Sequence, residues 1–157
     1  MNKPKEPIKV IATNRKARFN YFIDDTYEAG MVLKGTEVKA LRMGRCNLTD
    51  AYARIENGEV FLHQVHIGEY PFAYYGNHKP LRVRKLLLHK KEIKRLYGKV
   101  NKKGQSLIPL KVYFKNGKAK TTIALARGKR KYDKRETIRD RAEKRDLDRQ
   151  RRHYGVR

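Results

Sequence analysis

Ala51-Tyr52-Ala53-Arg54-Ile55-Glu56-Asn57-Gly58-Glu59-Val60-Phe61-Leu62-His63 decides the fold class. Two β-rich runs flank an Asn-Gly pair, and that pair supplies the positive φ angles of a tight two-residue turn. The stretch predicts an antiparallel hairpin. Lys115-Asn116-Gly117 repeats the chemistry downstream, joining extended runs over 106–114 and 118–126. Pro109 inside the first of these implies an edge or a bulge, because proline cannot donate to a sheet ladder. Upstream, residues 18–23 alternate and carry Phe19, Tyr21, Phe22 and Ile23, which suggests a strand ended by Asp24-Asp25. Residues 27–33 form a further extended segment, broken by Gly30 and stopped by Gly35.

Two segments have helical spacing. Val38, Leu41 and Arg42 place a short helix over 36–43, with Thr36 as a candidate cap and Gly44 as its close. Leu88, Glu92, Ile93, Leu96, Tyr97 and Val100 recur at three and four residues and predict a helix over 86–100. Between them, residues 68–85 are punctuated by Gly68, Pro71, Gly76, Asn77 and Pro80 and carry Tyr70, Phe72, Tyr74 and Tyr75. They read as a long aromatic loop, and a loop of that length in a small domain is often functional. Residues 1–17 read as a flexible or extended leader. About six strands separated mostly by turns favour a mainly β fold, an antiparallel sheet closed into a small barrel. An oligonucleotide-binding barrel fits that count.

The 157 residues hold 40 Lys and Arg against 16 Asp and Glu, a formal charge of +24. Self-repulsion of this size opposes compaction, and a polyphosphate partner relieves it by releasing counterions. The charge is not confined to a tail: 26 basic and 10 acidic residues lie in 1–126, and 14 and 6 in 127–157. The chain thus divides into a barrel domain, 1–126, and a basic tail, 127–157. In the tail Val, Ile, Leu and aromatics nearly vanish and charges of both signs alternate, with Ile138 and Ala142 four apart. Such a segment has helix-forming composition without a core to bury, so it is expected to be disordered alone and helical when bound. The lone Cys46 excludes an intrachain disulfide. Met1 to Pro7 lacks the apolar core of a signal peptide, and no apolar run approaches the roughly 20 residues of a bilayer span. A cytoplasmic protein without a membrane partner is expected.

Catalytic and metal-binding patterns are thin. His63 and His66 would point to opposite faces of a continuous strand, and nothing completes a tetrahedral set. Arg45 next to Cys46 would lower a thiol pKa, but no histidine or oxyanion donor is nominated. Asp24-Asp25 invites comparison with a nuclease carboxylate pair, yet adjacent acids at a strand end are more often a turn cap. No phosphate-binding glycine loop occurs. No enzyme activity, cofactor or small-molecule substrate is expected. Three basic clusters are stronger signals: Asn14 to Arg18, Lys79 to Lys85 and Arg127 to Lys131. Each can neutralise phosphates, and interleaved tyrosines offer rings for bases to stack on. Packing of Tyr74 and Tyr75 on the barrel is the alternative reading; the sequence leaves both open. A structural ribosomal or other rRNA-binding protein shares the charge and the tail, and a metal-dependent RNA-processing enzyme is a more distant alternative.

Asn14-Arg15-Lys16-Ala17, Tyr21-Phe22-Ile23, Glu28-Ala29-Gly30, Gly35-Thr36-Glu37-Val38-Lys39-Ala40-Leu41-Arg42, Arg84-Lys85-Leu86-Leu87-Leu88, Tyr97-Gly98 and Gly128-Lys129-Arg130-Lys131-Tyr132-Asp133-Lys134-Arg135 resemble, in order and spacing, the SsrA-binding protein (SmpB) family. The resemblance covers nearly the whole chain. It implies a six-stranded antiparallel oligonucleotide-binding (OB-like) barrel with short flanking helices and a basic C-terminal tail. It also implies binding to the tRNA-like domain of tmRNA, substitution for its missing anticodon arm, and delivery to stalled ribosomes for trans-translation. By position, Asn14, Glu28, Leu87 and Lys120 match tmRNA-contacting residues, with Arg15 and Lys16 beside the first of them. Tyr132, Asp133, Lys134 and Arg135 match the segment that engages the decoding centre on small-subunit rRNA. Arg127, Lys129, Arg130 and Lys131 lead into that segment. Arg139, Arg141 and Arg145 belong to a tail that would fold in the empty mRNA channel.

Overall fold

The computed structural model describes residues 7–155. The leader before residue 7 and the tail beyond residue 155 lie outside the described residues. In chain order the elements are β1 (Ile8–Thr13), α1 (Ala17–Asn20), β2 (Tyr21–Met31), α2 (Gly35–Arg42), β3 (Cys46–Asn47), β4 (Tyr52–Glu56), β5 (Glu59–His63), β6 (His66–Ile67), β7 (Arg84–Leu87), α3 (Lys90–Lys103), β8 (Ser106–Lys115), β9 (Lys118–Gly128) and α4 (Lys131–His153).

Six strands close a ring in the order β8-β4-β5-β7-β2-β9, the last pairing back onto β8, and all neighbours are antiparallel. The expected count of six holds, but its membership changes. The segments over 18–23 and 27–33 are one strand: residues 17–20 form a helical turn, and β2 then runs unbroken through Asp24-Asp25. Those acids do not end it. They sit at a bulge, where the register against β9 shifts between Ile23 and Asp25. The sixth strand is β7, drawn from residues expected in the aromatic loop and at the start of a helix. That helix begins at Lys90, and Leu86 and Leu87 are strand. Over its described residues the leader is extended, as one of the two expected readings had it. Residues Ile8–Thr13 pair with the far end of β8 outside the ring.

The bulges decide which face each strand buries. In an unbroken strand, residues an odd number apart face opposite sides. Leu107 and Val112 nevertheless both lie in the main core, because the β8–β9 register shifts between Pro109 and Lys111. The bulge expected at Pro109 is thus present. The β2 bulge does the converse. Tyr21 packs outside with Ala17, Ile108 and Ala126, whereas Tyr27, Ala29 and Met31 join the main core. That core also holds Val60, Leu62, Leu86, Ile123 and Leu125 from the ring, Ala40 and Leu41 from α2, and Leu96 from α3.

Both Asn-Gly turns form as expected, with Asn57 and Gly58 at φ 50° and 74° and Asn116 and Gly117 at 52° and 71°. These are the paired positive angles of a two-residue hairpin. The helix over 36–43 is also present, though Glu37 rather than Thr36 caps it. The Lys34 N–H donates to Glu37 Oε2 at 2.7 Å.

Candidate nucleic-acid interface

Glu28 is exposed on β2. It lies opposite Thr122 on β9, and Lys120 is its diagonal neighbour, within cross-strand reach. Lys120 Nζ donates to Glu28 Oε1 at 2.7 Å, Tyr113 Oη donates to Oε2, and Lys115 Nζ stands 3.5 Å from Oε1. The hydrogen bonds from Lys120 and Tyr113 hold the Glu28 carboxyl at about 2 against the small raising effect of burial. Burial and the Glu28 carboxylate push the Tyr113 hydroxyl up to about 12, so it remains a donor. One acid thereby fixes a phenol and two ammonium groups in one array.

Two concavities meet at Glu28. One, of about 490 Å³, is lined by Asn14, Arg18, Thr26, Tyr27, Glu28 and Tyr113 among others. The second, of about 500 Å³, is lined by Glu28, Gly30, Leu87, Leu88, His89, Glu92 and Lys120. The fold therefore gathers Asn14, Glu28, Leu87 and Lys120, far apart in sequence, around one rim residue. Leu87 is an apolar side chain left 54 % exposed. It lies across Gly30, its partner in the ladder; a Cβ at Gly30 would meet Leu87 Cβ at 3.3 Å. The side chain of Asn14 is turned partly inward: its Nδ2 donates to the carbonyls of Leu48 and Pro109. Its first effect is to clamp that loop to β8. Arg15 and Lys16 are exposed on the turn that leads into α1.

The basic residues of 127–135 surround a second feature that sequence reasoning missed. Phe22 is 41 % exposed on β2, with Arg127 Cζ and Lys129 Nζ at 5.6 and 4.9 Å from its ring centroid. Phe19 has Lys134 Nζ at 6.0 Å and Arg141 Cζ at 5.7 Å. Cations over aromatic faces are attracted by the ring quadrupole. Phe22 thus holds the end of β9 and the link that leads into α4, and Phe19 holds α4 itself at its first and third turns. The aromatic character of 18–23 was visible in sequence, but its partners are more than a hundred residues away. Arg127 also pairs with Asp24 at 3.3 Å, and Lys129 Nζ donates to Thr137. Asp133 Oδ2 accepts from the Arg130 N–H at 3.0 Å and caps α4. Lys131, Tyr132 and Arg135 are exposed, Tyr132 by 75 %. Beyond them α4 buries nothing, so Arg139 and Arg145 are solvated, while Arg141 keeps its contact with Phe19. The acid in the first turn and Arg151, Arg152 and His153 in the last complement the helix dipole.

A third group was legible only as motif letters. Glu37 and Arg84 are fully buried; Arg84 Nε donates to Glu37 Oε1 at 2.8 Å and Arg82 Nη2 to Oε2 at 2.6 Å. Burial by itself would raise the Glu37 carboxyl, but Arg82, the Lys34 N–H and Arg84 together hold it at about 2. Arg84 also donates to the carbonyls of Val65 and Pro80. This network ties α2, the loop before β7 and the β5–β6 link together.

The remaining chemical candidates resolve differently. Burial pushes the Cys46 thiol up to about 11, outweighing the lowering by Arg84. Asp24 accepts from Gln105, and Asp25 from Lys99, so each acid has its own cationic or amide partner. His63 stacks on Tyr52 at 5.1 Å, and His66 lies on β6 beyond the turn at Gln64. Among the described residues no cluster of three or more His, Cys, Asp or Glu side chains is placed to hold a metal ion, and no helix is long and apolar enough to cross a membrane.

The model of the SmpB protein family matches residues 11–153. An SsrA-binding protein of Halalkalibacterium halodurans is 57 % identical over 141 residues, covering 90 % of this chain and 92 % of that protein. One of Thermobifida fusca is 58 % identical over 141 residues, covering 90 % and 88 %. A chain of the solved structure described as "tmRNA-SmpB: a journey to the center of the bacterial ribosome" is 51 % identical and superposes with a TM-score of 0.65, covering 82 % of this chain and 94 % of its own. The match spans the barrel and α4 alike, and the chain belongs to the SmpB protein family.

Proposed function

We propose that this chain binds the tRNA-like domain of tmRNA through the Glu28 rim of its barrel and delivers it to stalled ribosomes for trans-translation. The observation that carries the reading is the array at Glu28. A carboxylate holds Lys120, Lys115 and Tyr113 in fixed positions at the junction of two concavities, with the exposed Leu87 across from it. Fixed donors beside an apolar side chain suit a folded RNA, where shape and backbone are read together. The relatives' name, SsrA-binding protein, and the tmRNA-SmpB neighbour support the choice of RNA.

The tail has the second role. Arg127 to Arg135 engage small-subunit rRNA at the decoding centre, with Tyr132 as a flat ring for stacking and Lys131, Lys134 and Arg135 as phosphate contacts. From there α4, about 35 Å long at 1.5 Å per residue, runs along the mRNA channel, with Arg139, Arg141 and Arg145 facing phosphate walls. An intact message occupies the same channel, so entry of the helix tests for its absence by steric competition. The chemistry of peptide transfer belongs to the ribosome. This chain acts by binding, without catalysis, cofactor or small-molecule substrate, and in the cytoplasm.

Filter binding of the purified protein to the tRNA-like domain tests the barrel's role. Lys120→Ala is expected to weaken binding and to reduce the slope of log affinity against log salt by about 1. An unchanged slope and affinity would remove Lys120, and the rim with it, from the interface.

A further inference from the structure

Tyr74 and Tyr75 are 89 % and 97 % exposed, and Phe72 is 75 % exposed. Packing against the barrel, left open by the sequence, does not occur. Three rings at one loop tip, bare to water, expose apolar surface that gains nothing for the fold. The loop that carries them is nonetheless built firmly. Asn77 closes its neck with a reciprocal pair: Oδ1 accepts from the Tyr70 N–H and Nδ2 donates to the Tyr70 carbonyl, both at 2.9 Å. His78, 3 % exposed, hydrogen-bonds Thr36 on α2 through Nδ1 and the Ile67 carbonyl through Nε2. Gly76 at φ +97° turns the chain back. The Arg82–Glu37–Arg84 network anchors the exit.

The neck of the loop is cationic. Lys39 Nζ lies 5.3 Å from the Tyr70 ring centroid, and Arg45 Nη1 donates to the Glu69 carbonyl while its side chain packs on Gly68. Arg42, one turn along α2 from Lys39, is also exposed. Glu69 is the only acid between residues 66 and 85. Tyr74 and Tyr75 meet edge to face at 4.9 Å and 80°, so their two ring planes stand nearly perpendicular and present separate faces.

We infer that this loop is a base-stacking platform for unpaired nucleotides of the tmRNA, with Phe72, Tyr74 and Tyr75 taking bases and Lys39, Arg42 and Arg45 taking the adjoining phosphates. Exposed aromatic faces flanked by cations are the chemistry of sequence-tolerant single-strand binding. The loop continues without interruption into β7, whose Leu87 lies in the Glu28 concavity. The platform and the rim residue Leu87 are thus carried by consecutive segments of the chain, the loop and β7. The inference rests on the tmRNA reading above, and extends it to a loop that reading does not use.

The chain has no tryptophan, so Tyr75→Trp introduces a single reporter. The full-length protein is titrated with the tRNA-like domain RNA of tmRNA. Tyr75→Trp retains a stacking ring and should bind the RNA, and its emission should fall as RNA saturates. Phe72→Ala, Tyr74→Ala and Tyr75→Ala should each weaken binding by roughly 5- to 100-fold, with unchanged thermal melts because the side chains are exposed. Lys120→Ala serves as the control for the rim. If Lys120→Ala weakens binding while the ring substitutions do not and the tryptophan is unquenched, the platform is overturned and the tmRNA reading stands. Emission that responds to ribosomes or ribosomal proteins alone, and not to this RNA, overturns it too. If wild type fails to bind the RNA at all, the earlier reading falls and the platform with it.

Discussion

Single residues matter here chiefly by what they hold in place. Glu37 is an anion completely removed from water and satisfied by two guanidinium groups and a backbone amide. Removing one partner of such a network leaves charge uncompensated in the interior, so Glu37→Gln should cost about 3–5 kcal/mol at neutral pH. The folded pKa of Glu37, about 2, lies below the ordinary 4.5, so its contribution is fully present above pH 4.5 and is lost as pH falls towards 2. Urea unfolding should show the gap between wild type and Glu37→Gln closing across that window; a constant gap would deny the carboxylate its role. Glu28 works similarly but at the surface. Glu28→Ala should weaken tmRNA binding although it removes a negative charge, because Lys120, Lys115 and Tyr113 lose their common anchor. Tighter binding on filters would contradict that. Gly30 is constrained by its neighbour: a methyl there must displace Leu87 by a few tenths of an ångström. Gly30→Ala should therefore disturb RNA affinity more than the melting temperature.

At the scale of elements, α4 hangs from few points. Asp133 caps its first turn, Phe19 holds Lys134 and Arg141 from its first and third turns, and Phe22 holds Lys129 just before it. Asp133→Ala should remove about 1 kcal/mol of helix stability. Faster amide exchange at the start of α4 is expected, with the barrel amides unchanged; equal acceleration in both would mean that the tail and barrel unfold together. The two hairpins were legible because an Asn-Gly turn is a local demand on φ, met by Asn57-Gly58 and Asn116-Gly117 whatever surrounds them. The Pro109 bulge was legible for the same kind of reason. β7 was not. Leu88 opens the three-and-four spacing of α3, Leu86 and Leu87 precede it without a break, and only tertiary pairing with β2 and β5 turns these two into strand. The β2 bulge was hidden because Asp24-Asp25 has the composition of a strand end, whereas Lys99, Gln105 and Arg127 receive both acids in mid-strand. β1 lies on the outside of β8 with its first three residues exposed, so it carries little inward pattern to read.

For the whole molecule, charge is the dominant quantity. A formal +24 on 157 residues is distributed over a preformed barrel and a helix that buries nothing. The rim side chains were gathered from positions 14, 28, 87 and 120 by strand register, which no local pattern encodes; resemblance located them, and folding explains why they meet. The Phe19–Phe22 clasp and the Glu37 network are long-range for the same reason and went unread. The central claim is that the barrel and the tail grip different nucleic acids. Tyr132→Ala with Arg135→Ala in one chain tests it most directly, with affinity for tmRNA and peptide tagging measured in the same reconstituted translation system. Sites this separate should be independent, so affinity should stay within about twofold of wild type while tagging is abolished. Loss of both in equal measure would contradict the division of labour.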